Sequence, residues 1–78
     1  MLKVNLHEQD YQVTRSIRER CSGIGQVRSV KVHRSPCAFA LIEMWQREQT
    51  YELTHEFGGS TFGTCALVHL EQEGLRAA

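Results

Sequence analysis

Three adjoining segments decide the fold: the run Val27-Arg28-Ser29-Val30-Lys31-Val32-His33, the turn Arg34-Ser35-Pro36, and the run Cys37-Ala38-Phe39-Ala40-Leu41-Ile42-Glu43-Met44. Before the proline, Val30 and Val32 alternate with Ser29, Lys31 and His33. Side chains two apart on a strand share a face, so this is the pattern of a strand with one buried side. The only proline of the chain interrupts it, as expected of a turn. Alternation then resumes, with Ala38, Ala40, Ile42 and Met44 on one face and Cys37, Phe39, Leu41 and Glu43 on the other. Both faces are apolar near the centre. That marks a strand covered on one side, with a second side that is central or functional.

The neighbouring segments extend the pattern in both directions. Upstream, Leu2 to His7 alternates and predicts a strand with Leu2, Val4 and Leu6 inward and Lys3, Asn5 and His7 outward. Asp10 is placed to cap a helix whose Val13, Ile17 and Cys21 stand four apart on one face. Ser22-Gly23-Ile24-Gly25 ends that helix, with a glycine expected in the left-handed conformation and Ile24 folding back. Downstream, Thr50, Leu53 and Phe57 lie at helical spacing in an otherwise polar segment, Gln46 to Phe57, closed by Gly58-Gly59. Phe62 and Gly63 read as a loop, and Cys65 to Leu70 as a last strand whose two faces are both apolar: Ala66, Val68 and Leu70 are taken as inward, and a one-residue slip would reverse them. A domain over residues 1–70 and a flexible C-terminal tail over 71–78 follow. Two strand–helix–strand halves predict an α+β, ferredoxin-like βαββαβ sandwich. Its four-stranded antiparallel sheet would have the order 4-1-3-2, with both helices on one face.

Composition sets the class. With 78 residues, 41% apolar and 23% charged, this is one globular domain with a modest core. The first residues show no basic start followed by an apolar stretch, so a secretory signal is not expected and a cytoplasmic location is. Three cysteines, Cys21, Cys37 and Cys65, form no C-x-x-C pair, which argues for free thiols in a reducing compartment rather than a disulfide framework or zinc knuckle. Net charge is zero, yet residues 1–36 carry seven cations against three acids and residues 37–78 carry two against six. A neutral total does not suit strong non-specific nucleic-acid binding. No catalytic constellation emerges. Glu48, Glu52 and Glu56 form a solvated helix stripe, no base is spaced to activate Cys21 or Cys65, and Gly23-Ile24-Gly25 is too short for a phosphate loop. The chain is therefore not expected to be an enzyme or to need a cofactor.

Over residues 2–70 the chain resembles an RNA recognition motif domain. Gly25 to Val32 is similar to that family's stretch from first helix to second strand, and Phe57-Gly58-Gly59-Ser60-Thr61-Phe62-Gly63 to its turn after the second helix. Ala38-Phe39 stands at the centre of the family's octamer on the third strand. The rest of the octamer departs from the pattern: Cys37 occupies the place of one stacking aromatic, and Lys3 that of the hexamer's aromatic on the first strand. Of the three usual stacking rings, Phe39 remains.

The resemblance implies weak single-stranded RNA binding on the open sheet face by Lys3, Asn5, His7, Lys31, His33, Cys37, Phe39 and His69. Phe39 would stack on a base, Lys3 and Lys31 would meet phosphate, and Asn5 would hydrogen-bond a base. The residues alone leave two other readings open. One is a solvated sheet face with one exposed ring. The other is a protein-interaction or dimerisation surface around Phe39, Leu41 and Leu67. The spacing of His7, His33, His69, Cys37 and Cys65 matches no known zinc pattern, so no metal is expected.

Overall fold

The computed structural model describes residues 1–74. Seven elements follow in the order β1 (Leu2–Val4), α1 (Asp10–Cys21), β2 (Val27–His33), β3 (Phe39–Met44), α2 (Arg47–Phe57), β4 (Ser60–Phe62) and β5 (Cys65–Gln72). The α+β class and the βαββαβ plan hold, with β4 added before the last strand. The sheet is neither four-stranded nor purely antiparallel. Five strands pair in the order β1-β5-β3-β2, with β4 beside β5, and β1 runs parallel to β5.

The expected order 4-1-3-2 is therefore corrected, and the short hairpin β4–β5 is the physical reason. After α2 the chain comes back as Ser60–Phe62, then reverses through Gly63-Thr64, so that Phe62 pairs with Cys65. Gly63 has φ 64, the glycine-first pattern that matches a two-residue turn to the strand twist. The reversal turns the last strand over, and β5 fills the interior position beside β3. Its far edge is shared end to end by β4, opposite Cys65 to Leu67, and β1, opposite Leu70 to Gln72. Gly59 makes the entry to β4 possible, because a Cβ there would lie 2.3 Å from the Leu67 carbonyl oxygen.

The alternation is obeyed except at the start of β2, where a register shift between Val27 and Ser29 lets Val27 and Val30 both pack on the core. Leu2, Val4, Ala40, Ile42, Met44, Ala66, Val68 and Leu70 are buried against Val13, Ile17 and Cys21 of α1 and Leu53 of α2. Val30 and Val32 pack on the same core but stay partly exposed, because β2 is an edge strand. Both helices lie on this one face, as expected, and among the described residues the other face carries none.

Several local expectations change. β1 stops at Val4 rather than His7. Gln9, not Asp10, stands at the N-cap of α1, and its backbone N–H donates to Gln12 Oε1 at 3.2 Å. The Asp10 carboxylate instead accepts from Arg34 at 2.9 Å, while the same guanidinium donates to the Leu6 and Glu8 carbonyls and ties the β2–β3 turn to the chain entering α1. α1 ends without a left-handed residue: Ser22 closes it in the right-handed region, and its hydroxyl donates to the Glu19 carbonyl at 2.7 Å. Glu71 and Gln72, expected in a flexible tail, belong to β5 and pair with Lys3 and Val4. The rest of the expected tail from residue 75 lies outside the described residues.

Candidate nucleic-acid interface

Cross-strand register builds the open face in rows. One row is His33 on β2, Phe39 on β3 and His69 on β5. The next is Lys31, Leu41, Leu67 and Ser60, running from β2 across to β4. Directly paired residues share a face, and Ala40 and Val68, the neighbours of the first row, are fully buried beneath. The rings of His33 and Phe39 stack with centroids 4.7 Å apart and planes 9° from parallel. His33 covers the β2 side of the Phe39 ring, and its other side faces β5, where His69 is exposed.

Of the eight expected site residues, the structure brings together four: Lys31, His33, Phe39 and His69. Lys3 is exposed on β1, opposite Glu71, beyond β5 and not next to β3. Asn5 lies past the end of β1, where its Oδ1 accepts from the His7 backbone N–H and from Gln72 Nε2, both at 3.1 Å. This is a turn-forming role. His7 is exposed in the same turn, before α1. Cys37 is exposed just before β3 begins. Separation of β1 from β3 follows from the hairpin and keeps Lys3, Asn5 and His7 away from the Phe39 row, whereas Cys37 lies two residues before Phe39, ahead of the paired part of β3.

Sequence reasoning missed Phe62. It is 61% exposed, and its pairing with Cys65 sets it on the open face. The signal was available in Gly63-Thr64, a two-residue spacer with glycine first, between Ser60-Thr61-Phe62 and the last strand.

Charge on this face is modestly positive. Lys3, Arg28 and Lys31 stand against Glu43 and Glu71. Arg28 holds Glu43 at 3.6 Å and lies over the Trp45 ring, 5.0 Å from its centroid. At this end of the sheet is a cleft of about 260 Å³, lined by Trp45, Tyr51, Thr61 and Cys65 among others. That is smaller than ligand clefts, typically ~300–1,000 Å³. Among the described residues, no three His, Cys, Asp or Glu side chains come together as a metal would require. No described helix is long and apolar enough to cross a membrane.

The thiols differ sharply. Cys21 is fully buried on α1, and desolvation pushes its pKa up from 9.0 to about 11. Cys37 is exposed and Cys65 partly so. At pH 8 a thiol reagent should label Cys37 first and leave Cys21 unreacted until the chain is unfolded, as peptide mapping would show. The unfolded chain releases the Cys21 proton before the folded one does. The stability this group contributes is thus whole below pH 9 and lost as pH rises towards about 11.

The chain matches no family model, no curated protein and no solved structure.

Proposed function

We propose that the open sheet face binds single-stranded RNA weakly, by stacking a base on Phe39 with polar and cationic support from Lys31, His33 and His69. The observation that carries this reading is the His33–Phe39 stack beside His69, on a sheet face without a helix. A flat ring and flanking imidazoles suit any base, because every base has a π-face, and the neighbouring lysine suits phosphate. The resemblance of Ala38-Phe39 to the centre of the RNA recognition motif octamer supports the same ligand. With Lys3, Asn5, His7 and Cys37 outside the row, few groups engage, and affinity is expected to be micromolar or weaker. The free thiols fit a reducing, cytoplasmic setting, and the role is one of binding rather than catalysis.

The test is a chemical-shift titration with short RNA oligomers of mixed sequence. Amides of Lys31, His33, Phe39 and His69 should shift together. Lys31→Ala should weaken binding and reduce its salt dependence by about one phosphate contact. If those amides stay still at millimolar RNA, the proposal fails.

A second reading is favoured by Leu41 and Leu67, directly paired and half-buried at the centre of the face. They suit a protein partner or a second copy of the chain. Such an apolar contact would be nearly indifferent to salt, whereas RNA binding weakens steeply as salt rises.

A further inference from the structure

The open face carries a second exposed ring, at the tip of the β4–β5 hairpin. Phe62 pairs with Cys65 on the outward side, while Leu41 and Leu67 lie between it and Phe39. Strand spacing of about 4.8 Å and a rise of about 3.4 Å per residue place the two rings about 17 Å apart, two strands across and four residues along. A bare phenyl ring 61% exposed on a hairpin does nothing for the core. The face between the rings also opposes phosphate poorly. Lys31 borders the path, and Glu43 is held by Arg28 at 3.6 Å.

We infer that Phe62 is a second stacking platform, and that the RNA strand crosses the sheet diagonally from the His33–Phe39 stack, over Leu41 and Leu67, to the hairpin. This rests on the RNA reading of the face and adds a direction and a minimum length. Stacked bases rise only ~3.4 Å each, so a dinucleotide reaches one ring and a hexanucleotide reaches both. The two leucines form the dry floor over which the intervening bases pass.

The experiment compares a uridine dinucleotide with a uridine hexanucleotide on the whole chain. The unmodified protein should bind the hexamer more tightly. Phe62→Ala should weaken hexamer binding at least about fivefold, the loss of one stacked base, and leave dinucleotide binding unchanged. Phe62→Trp should keep hexamer affinity, which separates the ring from any effect on the hairpin. If Phe62→Ala binds the hexamer normally while Phe39→Ala weakens both ligands, the RNA reading stands and the diagonal path is overturned. If the unmodified chain binds neither oligomer, the RNA reading falls and this inference falls with it.

Discussion

Phe39→Ala should lower affinity for a short RNA by about 5- to 150-fold, the equivalent of ~1–3 kcal/mol for one lost base–aromatic stack. It should barely disturb the fold. The reason is the register of β3: Ala40 is fully buried towards the helices, whereas Phe39 is half-buried on the opposite face. The ring's one aromatic contact recorded in the structure is the stack on His33. Losing it should cost about 0.5–1.5 kcal/mol beyond the area it covers, which would show as a fall in Tm of several degrees with the transition still cooperative. Affinity by fluorescence anisotropy and stability by thermal melting separate the two effects. Unchanged RNA affinity with altered self-association would favour the protein-interaction reading. A cooperative loss of structure would mean that Phe39 belongs to the core.

Ile42→Ala should have the opposite signature, with large destabilisation and no direct effect on the binding groups. Ile42 is fully buried on β3, paired with Val30 of β2 on one side and Ala66 of β5 on the other. Removing a buried isoleucine down to alanine costs ~2–5 kcal/mol, part of it for the cavity left behind. A domain of this size has a total stability of about 4–12 kcal/mol. A loss of a large share of that stability is therefore expected, and a lowered midpoint of urea denaturation followed by circular dichroism would measure it. The adjacent Leu41→Ala provides the control. Leu41 is half-buried on the open face, and its truncation should cost clearly less. If Leu41→Ala proves the more damaging of the two, the assignment of faces along β3 is wrong.

Local chemistry made a large part of this molecule legible. Which side chains of β3, β5 and the part of β2 after its register shift face the core follows from period-two alternation. Burial of Ala40, Ile42, Val68 and Leu70 obeys it because a strand has no other way to place consecutive side chains. The helix faces Val13–Ile17–Cys21 and Thr50–Leu53 follow in the same way from a repeat of about 3.6. His33, Phe39 and His69 could be assigned to the open face on this ground alone.

Which strand lies beside which is a different kind of fact. Ser60-Thr61-Phe62 is too short to declare itself as a strand. Yet its pairing across Gly63-Thr64 reverses the chain, brings β5 to the interior of the sheet and leaves β1 at the edge. That single reversal separated Lys3 from the Phe39 row, sent Asn5 into a hydrogen-bonded turn with Gln72, and gathered Phe62 onto the open face. Asp10 behaved similarly: its sequence position suits a helix cap, but Arg34, 24 residues away, offered a charged partner at 2.9 Å, and the cap passed to Gln9. The identity of the inward and outward residues was thus determined by the sequence through backbone geometry, which is local. Their assembly into rows was decided only by tertiary structure, because strand order depends on contacts between residues far apart in the chain, which no local pattern encodes.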